Sequence, residues 1–264
     1  CAFKLADVPF NMWVPDVYDG APTSVTAFVG TAPKIAAVVF AFRILVTGMG
    51  TIHSDWAPML AILAVASLVV GNLAAIMQTN IKRMLAYSTV SHMGFILLAF
   101  MAGAVGFTAG LYYAITYALM AAVSFGVLMV LSTKDIECEE IKDLAGLNHR
   151  HAWFAFLMLL SMFSMAGIPP LMGFYAKFGV IMALLKQGHV WLSVFAVIMS
   201  LIGAFYYLRV VKVIYFDAPD HDQPVGSNYA AKFVLTVNAF LLLLWGIMPQ
   251  TVIDWCAKAL ENTL

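Results

Sequence analysis

The sequence is 264 residues long, and 63% of these residues are hydrophobic whereas only 11% are charged. A soluble domain carries about 25% charged residues, so this chain has too few to cover a water-facing surface. The formal net charge of zero argues against a nucleic-acid partner. The cysteines Cys1, Cys138 and Cys256 form no CxxC motif and no Cys/His cluster, so they indicate neither a disulfide framework nor a zinc or iron–sulfur site.

Apolar stretches of about 20 residues predict membrane-spanning helices, because a helix rises about 1.5 Å per residue and must cross about 30 Å of hydrocarbon. Residues 1–22 are predicted to be the end of a broken helix, interrupted near Pro9, followed by a loop. Residues 23–250 are predicted to form a seven-helix bundle, and residues 251–264 a short amphipathic tail at the membrane interface. The predicted spans are 23–47, 57–78, 83–105, 107–132, 151–185, 190–216 and 229–247.

The fifth span is too long for one straight crossing and is interrupted at 167–173, which includes Gly167, Pro169 and Pro170. The sequence therefore predicts an all-α fold, a polytopic transmembrane helix bundle with broken helices. The chain opens at Cys1 with no initiator Met and no signal-peptide pattern. We therefore expect a fragment of a longer protein.

Basic residues in the loops predict the orientation, because the side richer in Lys and Arg is cytoplasmic. The segment 11–22 and the loop 133–150 then face the cytoplasm, and the C-terminus faces outward. The charged loop 133–150 is interpreted as a solvated loop, with a docking surface as the alternative. Lys82 and Arg83 are interpreted as an anchor to lipid phosphates. The richer side holds Lys82, Arg83, Lys134, Lys142, Arg150, Arg209, Lys212 and Lys232, and the opposite side Arg43, Lys186 and Lys258.

Lys34 lies in the middle of the first predicted span, directly after Pro33. A charged lysine at the bilayer centre costs about 2.5–3.5 kcal/mol, and a proline inside a helix removes a backbone hydrogen bond and kinks the helix. The alternative is a lysine that snorkels to the interface. It is disfavoured because either end of the span is roughly 16 Å away by helical rise. Burial favours the neutral amine, so Lys34 is predicted to exchange protons.

Lys177 lies in the second half of the interrupted span, beyond Pro170. Discontinuous helices place unpaired carbonyls at the membrane midplane, as in many transporters. The alternative is a proline kink that eases packing, with the lysine near a boundary. Asp and Glu residues fall mostly in predicted loops and helix ends, so neither Lys34 nor Lys177 has an obvious carboxylate partner within the chain.

Lys4 precedes Pro9 and again combines a lysine with a helix break, and Asp7 is spaced to pair with it on one helix face. His92 lies inside the third span, where a histidine is suited to shuttling protons near neutral pH. A histidine that hydrogen-bonds across a packing interface is an equal alternative. Four polar residues in the next span either extend a wet path from His92 or, as we prefer, serve packing: Tyr112, Tyr113, Thr116 and Tyr117.

Motifs for a cofactor are missing from the sequence. Neither GxGxxG nor GxxxxGK[ST] occurs, so no nucleotide site is indicated. No metal-ligand spacing and no nucleophilic triad stand out either. We therefore expect no cofactor in this chain and expect any redox chemistry to reside on other chains.

Three long motifs resemble the antiporter-like membrane subunits of proton-pumping NADH–quinone oxidoreductase (respiratory complex I). They are KLADVPFNMWVPDVYDGAPT at 4–23, NIKRMLAYSTVSHMG at 80–94 and AGIPPLMGFYAKF at 166–178. The PDVYDGAP stretch within the first motif is similar to the member called subunit N or subunit 2. The resemblance covers nearly the whole chain, and the motifs occur in the family's order.

The resemblance implies a helical subunit built from two inverted five-helix repeats, each with a broken helix, of which this chain holds the C-terminal half or slightly more. It implies proton-transfer roles for Lys4, Lys34, His92 and Lys177. It also implies that NAD, FMN, iron–sulfur clusters and quinone belong to other subunits. Other complex I membrane subunits and the lipid bilayer are the implied partners, and the bacterial inner membrane is the implied location.

Two positions depart from the family pattern. The family usually has His where this chain has Asn11, and Asp7 replaces a small or neutral residue. Two rival functions remain open at this point. One is a subunit of a multi-subunit Na⁺/H⁺ antiporter, which the PDVYDGAP motif disfavours. The other is a scaffold that keeps the fold without pumping, which the three retained lysines disfavour.

Overall fold

The computed structural model describes residues 2–132, 138–219 and 229–261. These residues form helices joined by short connections, with one isolated β-bridge between Asn80 and Glu140. The predicted all-α fold class is therefore confirmed. Cys1, the charged residues of loop 133–137 and the last residues of the predicted tail, 262–264, lie outside the described residues.

Twelve α-helices follow one another along the described chain. Six helical stretches are long and apolar enough to span a membrane: Thr23–Gly48, Gly50–Met77, Ile81–Met101, Gly103–Leu131, Val190–Phe216 and Tyr229–Ile247. The fifth predicted span corresponds to two separate helices, α8 and α9. The helices are α1 (Ala2–Leu5), α2 (Trp13–Gly20), α3 (Thr23–Gly30), α4 (Ala32–Phe42), α5 (His53–Met77), α6 (Ile81–Met101), α7 (Gly103–Leu131), α8 (Leu147–Ala166), α9 (Met172–Lys186), α10 (Val190–Phe216), α11 (Tyr229–Ile247) and α12 (Pro249–Glu261).

The first span breaks before its proline rather than at it. Thr31 leaves the helical region at φ −116° and ψ −89°, which separates α3 from α4. Pro33 then lies in the first turn of α4, where its missing N–H needs no partner. Lys34 is consequently near the start of a helix and not in the middle of one, which corrects the prediction.

The break in the fifth span lies where the sequence predicted it. Helix α8 ends at Ala166, and Gly167 follows in the left-handed region at φ 88°. Glycine adopts this conformation without the steric cost that a Cβ brings. Helix α9 begins at Met172, after Pro169 and Pro170. The helix before the break is longer than predicted: α8 begins at Leu147, not at residue 151, and its backbone bends at His151.

Helices α6 and α7 form the centre of the bundle. The apolar window of α6 is 94% buried and that of α7 78%, whereas those of α5, α10 and α11 are 33% or less. Helices α4 and α9 both pack against α7, and α9 also packs against α6. The outer helices therefore present apolar faces of the kind that contact lipid, while most side chains of α6 and α7 are enclosed by protein.

The charged loop after α7 is docked onto the bundle, at least over its described part from Cys138 onward. The Ile81 amide donates to the Glu139 carbonyl at 2.7 Å, and the Ile141 amide to the Thr79 carbonyl at 2.9 Å. A 3₁₀ turn follows, in which Leu144 is fully buried. The backbone of this part is thus held against the bundle while the side chains of Glu139, Lys142 and Asp143 are exposed, so the choice between a solvated loop and a docking surface stays open.

Lys82 is not a head-group anchor. Its side chain is 1% exposed, and its Nζ lies 3.5 Å from a carboxylate oxygen of Glu139 in the docked loop. The neighbouring Arg83 contacts Asp16 at 3.2 Å and Asp19 at 3.3 Å, both on α2. These basic side chains therefore hold the loop segments together at this end of the bundle.

The C-terminal tail is helical from Pro249 to Glu261, with Val252 and Cys256 facing the bundle. An amphipathic helix is confirmed in this region. Its position at the membrane interface stays a prediction, as do the domain bounds 1–22, 23–250 and 251–264 and the orientation of the bundle.

Candidate functional site

Lys34 is enclosed at the break between α1 and α2. The residue is 2% exposed. Its Nζ donates to the carbonyl of Leu5 at 3.0 Å and to that of Lys4 at 3.2 Å, and it lies 5.4 Å from the ring centroid of Trp13. Leu5 ends α1, so its carbonyl has no helical partner. Lys34 therefore satisfies backbone groups that the break leaves free.

Asp7 follows Leu5 by two residues and is fully buried, so a carboxylate lies close along the chain to the carbonyl that accepts from Lys34. Within the described residues no direct ion pair joins Asp7 to Lys34, but the carboxylate is near enough to attract the ammonium electrostatically. The pairing predicted between Asp7 and Lys4 is not formed, because the Lys4 side chain is exposed while Asp7 points into the protein. Asp7 is therefore oriented towards the buried side of the break, where Lys34 lies, and not towards Lys4.

Lys177 occupies the corresponding place at the second break. It is 7% exposed, and its Nζ donates to the carbonyl of Ala166, the last residue of α8, at 3.0 Å. The Nζ also lies 5.7 Å from the ring centroid of Phe95 on α6. In the part of the chain that the structure describes, no carboxylate forms an ion pair with Lys177.

His92 lies on α6 at the centre of a hydrogen-bonded group of hydroxyls. Its Nδ1 is 2.7 Å from the Tyr113 hydroxyl on α7, and its Nε2 is 3.0 Å from the Tyr207 hydroxyl on α10. The ring of Tyr113 stacks on Phe95, whose face Lys177 approaches. His92 and Lys177 therefore lie near each other, separated by the Phe95 ring, and Tyr113, which was assigned to packing, carries a polar contact.

The polar cluster continues along α6 towards its beginning. The Thr89 hydroxyl, one turn before His92, lies 2.7 Å from the Tyr117 hydroxyl on α7. Tyr117 also packs against the His92 ring, with centroids 5.2 Å apart. Hydroxyls and imidazole in hydrogen-bond contact are the groups through which a proton can be relayed.

Sequence reasoning missed several members of this cluster. Tyr207 and Tyr206 lie on α10, and the Tyr206 hydroxyl donates to Asn72 on α5 at 3.1 Å. A buried serine pair, Ser124 and Ser161, joins α7 to α8 at 2.7 Å. All of these residues lie inside predicted spans, so their polar side chains within apolar stretches could have identified them as candidates.

The two breaks share one backbone pattern. Each begins at the last residue of a helix, Leu5 or Ala166, and continues through a residue with positive φ, Ala6 at 73° or Gly167 at 88°. Each then has a proline, three residues after the positive φ. At both breaks a buried lysine Nζ occupies the carbonyl end of the first half-helix. This is the geometry in which irregular backbone is tolerated within a membrane.

The sequence model of the family described as NADH:quinone oxidoreductase/Mrp antiporter, TM, matches residues 1–203. The chain belongs to this family. The predicted resemblance is thereby confirmed, and both buried lysines, Lys34 and Lys177, lie within the matched residues. The match extends from α1 into α10 and includes Lys34, His92 and Lys177, whereas Tyr206 and Tyr207 lie beyond it.

Curated relatives within the family carry one name. The chain is 82% identical, over its whole length, to the NADH-quinone oxidoreductase subunit N of Neisseria gonorrhoeae and 57% identical to that of Laribacter hongkongensis. It covers 55% of each relative. The chain thus spans about half the length of the curated relatives it matches.

Solved structures show the same fold. A chain of the respiratory complex I from Thermus thermophilus with bound aureothin superposes with a TM-score of 0.84 at 32% identity, covering 96% of this chain and 56% of that one. A chain of the Mrp complex from Dietzia sp. superposes with a TM-score of 0.89 at 22% identity, covering 99% and 57%. At that identity the second likeness is one of fold alone.

Proposed function

We propose that this chain is part of a proton-translocating membrane subunit of NADH–quinone oxidoreductase, corresponding to subunit N, in a bacterial inner membrane. The names of the curated relatives support this proposal. In this proposal NADH oxidation and quinone reduction take place on other subunits, which carry NAD, FMN, the iron–sulfur clusters and quinone. The partners are the other membrane subunits of the same complex.

The observation that carries the proposal is the pair of buried lysines at the two helix breaks. Lys34 and Lys177 each hold an amine against carbonyls at the end of a half-helix. An amine in such a place gains a proton at the cost of burying a charge and loses it at the cost of a weaker hydrogen bond to the carbonyl. The balance between these costs is sensitive to any nearby charge.

The groups between the lysines supply a route in this proposal. His92 and its tyrosine partners lie on α6, α7 and α10, and α7 packs against both α4 and α9. A proton held at Lys34 moves towards His92 and Lys177 when the charge nearby changes, and Lys177 releases it outward. Lys4 exchanges protons with Lys34 from the other direction.

A Na⁺/H⁺ antiporter subunit is the rival function, because members of the family occur in Mrp complexes and the fold is shared. The high identity to proteins named subunit N favours the first proposal. Co-purification separates the two. Redox subunits that copurify with the tagged full-length protein support NADH–quinone oxidoreductase, whereas copurifying antiporter subunits without them support the rival.

The test of function uses the full-length parent with Lys34→Ala in inverted membrane vesicles. NADH-driven proton uptake and NADH–quinone electron transfer are recorded together, and assembly of the complex is measured in the same membranes. We expect both rates to fall with the complex intact. Lys186→Ala is the control, since Lys186 is an exposed lysine at the end of α9. Normal rates in Lys34→Ala would contradict the proposal and favour a scaffold.

A further inference from the structure

Asp7 is a buried carboxylate whose role the proton route does not explain. It is 0% exposed, and within the described residues neither of its side-chain oxygens has a hydrogen-bond partner. Buried polar groups in proteins are nearly always hydrogen-bonded, and an unsatisfied one needs a reason. For a carboxylate the reason is usually a nearby positive charge.

Lys34 supplies that charge. Asp7 and Lys34 interact electrostatically, and Lys34 is held by the carbonyls of Lys4 and Leu5, which lie on the same segment as Asp7. The side chain of Lys4 on the same segment is exposed, so the buried charge next to this carbonyl cluster is the Asp7 carboxylate.

The segments packed against α4 carry few charges: the turn that continues α4, Arg43–Gly48, carries Arg43, nine residues beyond Lys34. Helices α3 and α7 contain no Asp, Glu, Lys, Arg or His. The titratable side chains on α7 are Tyr112, Tyr113 and Tyr117, which are neutral near pH 7. Within the described residues, Asp7 is therefore the acidic group that faces Lys34 from the segments packed around it.

The second break has the same backbone pattern as the first but lacks an acidic residue at the position of Asp7. Counting from the residue with positive φ, Asp7 follows Ala6 as Ile168 follows Gly167. The second lysine, Lys177, thus has an apolar residue where the first has a carboxylate. The two lysines share the carbonyl contact and differ in their countercharge.

We propose that Asp7 is the charge partner of Lys34 and a positioning residue for proton exchange there, an inference that rests on the proposed function. The carboxylate stabilises the protonated form of Lys34, and a second positive charge that approaches the same break weakens this stabilisation and promotes release of the proton.

The test replaces the carboxylate with a neutral group of the same shape, Asp7→Asn, in the full-length complex. The initial rate of NADH-driven proton uptake is measured in inverted vesicles against pH. An attracting charge favours the protonated form of a lysine, so removing the charge makes the proton easier to lose. We therefore expect the alkaline limit of proton uptake in Asp7→Asn to move lower, by about one pH unit.

Two companion variants sharpen the result. Asp7→Glu keeps the charge and is expected to restore the wild-type pH profile. Asp16→Asn makes the same chemical change on an exposed residue of the neighbouring α2 and is expected to leave the profile unchanged. A wild-type profile in Asp7→Asn, while Lys34→Ala abolishes uptake, would overturn this inference and leave the proposed function standing.

A variant that fails to assemble still gives a decision. If Asp7→Asn prevents assembly because it leaves a buried ammonium without its countercharge, then removing both charges in Asp7→Asn with Lys34→Met restores assembly. Failure of the double variant to restore it overturns the charge pairing. Normal uptake in Lys34→Ala overturns the proposed function and this inference together.

Discussion

Gly173 at the start of α9 makes a close backbone contact between the two halves of the second broken helix. A Cβ built on Gly173 would lie well inside 3.0 Å of the backbone carbonyl oxygen of Ser164, a separation that Cβ atoms in proteins do not reach. The Gly173 amide also donates to the Ser164 side-chain oxygen at 3.1 Å. The contact is backbone against backbone, so a side-chain rotation does not relieve it.

The cost of Gly173→Ala follows from these two contacts. Overpacking of a core that cannot relax costs about 1–3 kcal/mol. Loss of the buried hydrogen bond, with its donor left unsatisfied, costs about 1–3 kcal/mol more. The sum is about 2–6 kcal/mol. Since α9 must move to make room, Lys177, about one turn further along, moves away from the Ala166 carbonyl.

Gly179→Ala on the same helix is the matched control. Its nearest neighbour would be the Ala109 Cβ at 3.6 Å, which is an ordinary contact. Both variants make the same chemical change on one helix, and only Gly173→Ala introduces the clash. We expect the apparent melting temperature of the detergent-extracted complex to be lower for Gly173→Ala by about 5 °C or more, from about 2–4 °C per kcal/mol. Equal melting temperatures and equal proton uptake would refute the reasoning.

Two further predictions concern His92 and Cys138. His92→Phe leaves the hydroxyls of Tyr113 and Tyr207 without their imidazole partner, which costs about 1–3 kcal/mol of stability for each hydroxyl. Proton uptake in vesicles is expected to fall several-fold. Uptake equal to that of the wild type would show that His92 is a packing residue. Burial raises the pKa of the Cys138 thiol to about 12. Its thiolate fraction at pH 8 is therefore about three orders of magnitude below that of an ordinary thiol. Maleimide labelling of Cys138 should be slow at pH 8 and rise about tenfold per pH unit. An exposed cysteine introduced as Lys142→Cys is the comparison, and its labelling should level off above about pH 9. Rapid labelling of Cys138 at pH 8 would contradict its burial.

The break at Gly167–Pro170 was predictable because its determinants are local. A glycine followed by two prolines cannot continue a helix, whatever surrounds it. The burial of Lys34 and Lys177 was also predictable from their positions within apolar stretches. The spans α10 and α11 were predicted with the same bounds that the structure shows.

The misplaced features depend on contacts between distant segments. Asp7 meets Lys34 because α1 packs against α4; from sequence spacing alone, Lys4 was the nearer partner. Lys82 is buried because a loop over fifty residues further along covers it through Glu139. For Asp7 and Lys82 a tertiary contact overrode the local pattern. The break at Thr31, by contrast, directly follows Gly30, a local signal that the sequence analysis did not use.

The two breaks also differ in which helix supplies the lysine. At the second, Lys177 reaches the Ala166 carbonyl from within the same broken helix, 11 residues away in sequence. At the first, Lys34 reaches the Leu5 carbonyl from a separate helix, 29 residues away. Protonation of Lys177 therefore acts within one broken helix, whereas protonation of Lys34 strengthens the junction between α1 and α4. A change of charge at the first break is thus coupled to the packing of two elements, and Asp7, on the loop that joins α1 to α2, lies at that junction.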